Sequence, residues 1–534
     1  GLAYAFASFY VLTIPITGAF FAKRNWLLGK RYGFITPGDM FAYYFNSEVA
    51  RWLTVFTAFL YSMFYSAVQL MASAALFHWV AGVPVTFGAI FMAFIVWFYV
   101  CSGGLKASTW VGVLQFILLV GGIILLGYYV ITSDAIGGWA MFTKNLMEMP
   151  ADMKHKMLEV PAVVYPTMQT VAYAKANKET IWTAVMILSY MFALMGIQSS
   201  PAFTLWNFGI KSPKPLAWQQ TFMSTFVVGF ALFYFTAFQG MGSKILQLQG
   251  VLEFTKDSDV VPILMKTYLP PFVLGVVFLG AIAAIHSTAA PYIGTGGTIL
   301  LRDVYWRYIR KQQAGHAEQI WVNRILATFV TVAALWVGLT SKAALVILGA
   351  LATAFGFVMY VYLLGVHWGF RFPSVGASLG VLSGMVAVFL TYYVWKYPLS
   401  FHCAGWGTGI GLLVAYLCRG LGIKDNEETI KRQNEVRAFI DDIDGPSESG
   451  RKWRNAMKIV VPIWYFFAIG PACILGNNAF SFAGFPPLWS WQIFWWILGI
   501  IMMWALCFKA EMATTSEEQI QRAEVDTNIV IKEA

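Results

Sequence analysis

The sequence predicts an all-α polytopic membrane protein, and three observations carry that prediction. Hydrophobic residues make up 59% of the chain and charged residues 12%, about half the charged share of an ordinary soluble domain. Mean hydropathy is +0.64, and the apolar residues come in long unbroken runs rather than the short alternating strands of a membrane barrel. Finally, the Lys and Arg residues behind the net charge of +10 gather in every second connection between the runs, where the positive-inside rule puts them. A basic chain invites a nucleic-acid reading, but charge confined to loops between spans does not support one.

About thirteen spans emerge from a window of roughly 20 residues. They lie near 2–22, 52–80, 84–102, 109–132, 180–208, 217–241, 271–299, 320–340, 344–366, 375–396, 403–420, 457–478 and 487–508. Basic residues mark 23–51 (Lys23, Arg24, Lys30, Arg31, Arg51), 300–319 (Arg302, Arg307, Arg310, Lys311) and the linker 421–456 as cytoplasmic. The chain then begins outside and ends with a cytoplasmic C-terminus. Two long outer connections, 133–178 and 242–270, are expected to be either lids over a vestibule or surface loops.

In the 23–51 connection, Thr36-Pro37-Gly38-Asp39 predicts a short capped helix, with Thr36 as N-cap and Pro37 in its first turn. Span 52–80 sets Tyr65 and Gln69 on one helical face with Ser62 and Ser66 beside them. A mid-membrane Gln needs a partner, so this face points into the bundle, for inter-helix bonding or for solute. Span 84–102 ends in Gly103-Gly104. Span 180–208 holds Tyr190, Gly196, Gln198, Ser199, Ser200 and Pro201, and Gly with Pro inside an apolar run marks either a discontinuous helix with a binding site or a tolerated kink.

Span 271–299 centres on Ala281-Ile282-Ala283-Ala284-Ile285-His286-Ser287-Thr288-Ala289-Ala290 and leads to Arg302-Asp303-Val304-Tyr305. Its hydroxyls either bond back to carbonyls one turn earlier or face a polar path. Ser287 and Thr288, with the carbonyl of Ala284 one turn before, offer three oxygens to one point. His286 points about 100° away from Ser287 on a helix and is expected to pack or hydrogen-bond. His367 and His402 are expected at the interface. Asp441-Asp442-Ile443-Asp444 lacks calcium-loop spacing and predicts a solvated helix and turn. Trp489, Trp491, Trp495 and Trp496 are placed in an outer aromatic belt, and the tail 509–534 is expected to be polar and mobile. The five cysteines imply neither a disulfide framework nor a metal site.

The order Ala-Ala-x-x-Ser-Thr, small residues, then Arg-Asp-Val-Tyr resembles the eighth core helix of the sodium:solute symporter family. Gly103-Gly104-x-x-Ala107-x-x-Trp110 is similar to that family's Gly-Gly turn, though Val111-Gly112 replace its Thr-Asp pair. Thr36-Pro37-Gly38-Asp39 resembles its Thr-x-Pro-Asp segment, with Gly38 intervening before the acid. The likeness covers roughly 1–420 and implies a leucine-transporter-like bundle of two inverted repeats, with solute and sodium near the midplane. It further implies sodium at Ala284, Ser287 and Thr288, the coupling ion being the one cofactor expected. Solute contacts are placed at Gln69, Tyr190 and Gln198.

Gly1-Leu2-Ala3-Tyr4 is similar to the family's segment just after its first core helix, so the chain is expected to continue upstream. The expected organisation is a transporter core (1–420), a cytosolic linker (421–456), two extra Trp-rich helices (457–508) that offer a face for an oligomer or membrane partner, and a cytosolic tail (509–534). Two functions fit: a sodium-coupled symporter of a small organic solute, a carboxylate or amino acid, or a non-transporting scaffold or sensor that kept the fold. The family's sugar carriers would show a Lys in 217–241, which is absent, and no enzyme motif is present. Localisation in the plasma membrane, the inner one in a bacterium, is expected.

Overall fold

The computed structural model describes residues 3–255, 257–341 and 345–523; Gly1, Leu2 and the tail after 523 lie outside the described residues. In chain order the helices are α1 (Ala3–Tyr32), α2 (Pro37–Phe45), α3 (Glu48–Ala81), α4 (Val85–Thr132), α5 (Gly138–Met147), α6 (Ala151–Leu158), α7 (Thr170–Ala176), α8 (Ala184–Gln198) and α9 (Pro201–Gly209). They continue as α10 (Leu216–Leu248), α11 (Val260–Tyr268), α12 (Pro271–Ile309), α13 (His316–Thr340), α14 (Leu348–Trp368), α15 (Ser374–Val394), α16 (Cys403–Gly420), α17 (Glu427–Ile443), α18 (Glu448–Ala468), α19 (Pro487–Lys509) and α20 (Glu517–Arg522). Among the described residues nine helices are long and apolar enough to cross a membrane, or up to eleven if each of two bent pairs counts as one span. Helices α1 and α16 occupy two further places in the predicted set of thirteen.

Local signals set several boundaries. Thr36 and Asp39 cap α2 reciprocally, with Pro37 opening it, so one donor of each partner is satisfied at the helix start. Helix α4 kinks at Gly104, whose φ is +60°, a conformation that a residue with a Cβ resists.

Packing gathers α3, α4, α12 and α13 on one side and α1, α8 and α10 on the other, with α14 against both α3 and α8. The α8–α14 contact is the tightest: a Cβ at Gly196 would stand 1.9 Å from the Thr353 carbonyl oxygen, and one at Gly356 would stand 2.2 Å from the Gly196 oxygen. Small residues let backbones approach where no hydrophobic gain over lipid is available.

The connections sort to two ends. Val160 and Asn477 exchange two hydrogen bonds of 2.8 Å, and the Leu399 amide donates to Thr167 O at 2.7 Å, which ties the 133–178 connection to the loops after α15 and α18. At the opposite end, the basic connections 23–51, 300–319 and 421–456 come together.

Three expectations change here. The linker is not simply solvated: α17 packs on α2, burying Val436, Ile440 and Ile443. Asp444 lies among Lys23 (2.7 Å), Arg24 (2.7 Å) and Arg454 (3.6 Å), the Lys23 and Asp444 side chains each 2% exposed. The tail up to Ala523 is docked as well, with Gln519 donating to Ile443 O at 2.7 Å. Nor do all four tryptophans line a belt. Trp489 and Trp496 are buried, and Trp496 stacks on Phe233 at 5.6 Å and donates to Thr225 O of α10. An indole offers a large apolar face and one donor, and α10 accepts both.

Burial alone would push the Asp444 carboxyl up; Arg24, Lys23 and Arg454 outweigh it and hold the group below the usual carboxylate range. Stability from a depressed carboxylate is fully present above the unfolded value of about 3.9 and is lost as pH falls through the lower folded one. Asp444→Asn should therefore destabilise the protein at neutral pH by about 3–5 kcal/mol, and its gap to the parent should close in acid. Thermal unfolding in detergent across pH checks this; a gap independent of pH contradicts it. Gly196→Ala should cost roughly 1–3 kcal/mol by forcing α8 from α14. Gly209→Ala, where a Cβ meets nothing within 4 Å, should be near neutral in the same assay.

Candidate functional site

Helix α12 carries the oxygen cluster that its sequence predicts. The Ser287 hydroxyl donates to the Ala284 carbonyl at 3.0 Å, and the Thr288 hydroxyl donates to the same carbonyl at 3.2 Å. These are the backbone-directed bonds expected of membrane-helix hydroxyls, and they also draw three oxygens to one place. Each hydroxyl oxygen keeps lone pairs for a cation while its proton is engaged. Pro291 sits inside the helix and has no N–H, so the Ser287 carbonyl one turn back lacks its helical donor. Ala284, Ser287 and Thr288 are half-buried. His286 turns the other way, its Nε2 2.9 Å from Met92 Sδ on α4, a packing role as predicted.

Helices α3 and α12 run antiparallel, and their register is fixed at several levels. Phe77 meets Phe278 at 5.6 Å, Tyr65 meets Tyr292 at 4.9 Å, and a Cβ on Gly296 would touch Ser62 at 3.0 Å. Between the first two contacts, Gln69 falls level with Ser287 and Thr288. Ser66, one turn away on the same face, is fully buried, and its hydroxyl has no hydrogen-bond partner among the described residues.

The predicted discontinuity is present. Helices α8 and α9 meet at a 40° bend, where Ser199 donates to Gly356 O at 3.0 Å and Ser200 caps α9. Gln198 is buried in the last turn of α8. Tyr190 stands apart from it, two helical turns and about 12 Å back, its ring edge-on to Trp182 (5.5 Å) and His402 (5.3 Å). Thus Gln69 joins the oxygen cluster by level, Gln198 lies at the break, and Tyr190 lines a different part of α8. His402 and His367 are buried rather than interfacial; His367 Nε2 is 2.8 Å from Asn25 Oδ1, an internal partner that a loop-edge position does not reveal.

Two clusters went unread in the sequence. Tyr61, Tyr65 and Tyr292 pack with Trp206 and Phe203 of α9, the Tyr61 and Tyr292 rings 5.2 Å apart. Nearer the basic end, Arg51 Nη1 donates to Asp39 (2.7 Å) and Asp303 (2.6 Å), and Thr36 donates to Asp303 at 3.0 Å. A Cβ at Gly38 would stand 2.8 Å from the Asp303 carboxylate, which explains the glycine inserted before Asp39. Each residue was visible, including Asp303 at the end of an apolar run; the pairing across 252 positions was not.

The model of the sodium:solute symporter family matches residues 1–384. The chain is 22% identical over 412 residues to the sodium/pantothenate symporter of Haemophilus influenzae, covering 76% of this chain and 79% of that one. It is 23% identical over 405 residues to the sodium/glucose cotransporter of Vibrio parahaemolyticus, covering 73% and 71%. A solved Na+-coupled sialic acid symporter, in a substrate-bound outward-open state, superposes with a TM-score of 0.56 at 15% identity over 79% of this chain and 90% of that one, which shows the shared fold.

If Gln69 faces solute at the level of Ser287, Gln69→Leu should lower uptake at least several-fold more than it lowers the amount of protein in the membrane. Equal losses, by transport assay and quantitative blotting, would assign Gln69 to helix packing alone.

Proposed function

The chain belongs to the sodium:solute symporter family, and on that footing we propose that it couples inward sodium movement to the uptake of a small organic carboxylate. It is a multi-pass membrane transporter with sodium as its coupling ion, not an enzyme. For the ion, the supporting observation is the Ala284 carbonyl that receives both the Ser287 and Thr288 hydroxyls. Sodium is a hard cation that transporters commonly hold with backbone carbonyls and hydroxyls, and this set is made of those groups. Ala284, Ser287 and Thr288 are therefore assigned as sodium ligands.

For the solute, support comes from the pantothenate-transporting relative, since pantothenate is a carboxylate, and from the absence of a Lys between 217 and 241. No Lys or Arg occurs in 52–81, 184–209 or 271–299, so the accompanying sodium is the charge available to offset a carboxylate in that low-dielectric region. Gln69 and Gln198 supply neutral hydrogen-bonding groups. The basic connections 23–51, 300–319 and 421–456 face the cytoplasm of a plasma membrane in this assignment.

Ser287→Ala and Thr288→Ala should each raise the sodium concentration for half-maximal uptake about three- to tenfold, ~0.7–1.4 kcal/mol of sodium affinity, whereas Thr288→Ser should change it little. Radiolabelled pantothenate, short monocarboxylates and glucose, offered to proteoliposomes at graded sodium, provide the measurement. Unchanged sodium dependence in both alanine variants sinks the ion site; glucose uptake without carboxylate uptake sinks the solute class.

A further inference from the structure

We propose that Trp206, hydrogen-bonded to Thr295, pins the barrier that closes the transport path between the oxygen cluster of α12 and the basic end of the bundle. The proposal needs the chain to be a transporter but is independent of which solute it carries and of which oxygens hold sodium. A carrier whose central site opened to both sides at once would drain the gradient it uses, so one side must be shut by groups outside the binding site.

The structure is shut on the basic side. Moving along α12 from Thr288 toward Asp303, the first layer is aromatic. Tyr292 packs edge-on to Tyr65 at 4.9 Å and against Trp206 at 5.3 Å, and Trp206 packs against Phe203 at 4.6 Å. Tyr61, Ala202 and Tyr292 are buried together. One turn further, Leu205 of α9 is buried with Val55, Ala58 and Ile299. Beyond these layers Arg51 joins Asp303 and Asp39. Three helices thus close the path, and α9 is the wedge between the other two.

What marks α9 as the movable part is how it is held. Its contact with α3 and α12 is mostly apolar, and the Trp206 Nε1–H bond to Thr295 Oγ1, at 2.8 Å, fixes its orientation on that side; its other side rests on α1, where Phe208 packs against Gly29 and Trp26 Nε1 donates to Ile210 O at 2.8 Å. On the same short helix Thr204 Oγ1 and Asn207 Nδ2 are buried with no hydrogen-bond partner among the described residues, which penalises the docked position. The helix also hangs from the bend at Ser199–Ser200. By contrast, α3 and α12 are locked to one another through Arg51 and Asp303. An element with a dry seal and one directional side-chain bond toward α3 and α12, unmet polar groups and a hinge is the one that swings away from them, together with α1, when the path opens.

The test uses Gln69→Cys, half-buried and one turn beyond Tyr65 on the side of the oxygen cluster, in the full chain reconstituted in proteoliposomes. Labelling by a membrane-impermeant thiol reagent is followed separately from each face, as the increment over the chain without the added cysteine. Labelling from the face bearing Arg51 should rise about tenfold with Trp206→Ala and severalfold with Trp206→Phe or Thr295→Val, while labelling from the other face stays the same. Sodium-22 entry without solute should increase in the same order. Thr295→Val keeps the shape and removes only the acceptor, and Trp206→Phe keeps an aromatic ring while losing the donor, so the two report on the hydrogen bond even if the alanine variant does not fold. Unchanged labelling in folded Trp206→Phe and Thr295→Val, or an equal rise from both faces, overturns the proposal.

Discussion

A polar group in a lipid bilayer has no water to turn to, so each one must find its partner inside the protein. That constraint acts hardest on α12, which runs from Pro271 to Ile309 and carries hydroxyls, a histidine, a tyrosine and an aspartate along one apolar helix. Its antiparallel neighbour α3 answers it level by level. Tyr65 and Tyr61 stand against Tyr292, Ser62 against Gly296, and Arg51 against Asp303. The register is specified at both ends, by Phe77–Phe278 and by Arg51–Asp303, so the oxygens between them are held without an ion pair in the middle of the membrane.

The second half of the site depends on a contact made of backbone. Gly196 and Gly356 bring α8 and α14 so close that a methyl group at either would collide with a carbonyl oxygen. Ser199 then reaches Gly356 O, and the chain turns into α9 with Ser200 as its cap. The break is thus a packed feature with its own hydrogen bonds, and it lets Gln198 and Trp206 belong to separately oriented segments.

Outside the region matched by the family, the C-terminal segments are tied into the same body. Helix α19 lays Trp496 and Trp489 against α10 and its surroundings, and Asp444 gathers Lys23, Arg24 and Arg454 where α1, α17 and α18 meet. A carboxylate this buried is tolerated because more than one cation surrounds it. The two features make the linker and the terminal helix pair extensions of the α1–α10 side of the bundle rather than an appended module.

Membrane class, helix placement, the cap at Thr36, the break at Ser199–Ser200 and the oxygen set on α12 were legible in the sequence because each rests on local physics: apolar run length, a missing N–H, a side chain one turn from a carbonyl. The family could be read for the same reason, since its motifs are short and contiguous. The inward placement of Trp489 and Trp496 and the burial of Asp444, His367 and His402 were not legible. An indole suits an interface and a packed core equally, and a charge run looks solvated until its counter-charges arrive from far along the chain. Which residues became partners, Arg51 with Asp303 or Trp206 with Thr295, was decided by the tertiary structure alone, because pairing depends on helix register and rotation, and those are set by the summed packing of all the helices.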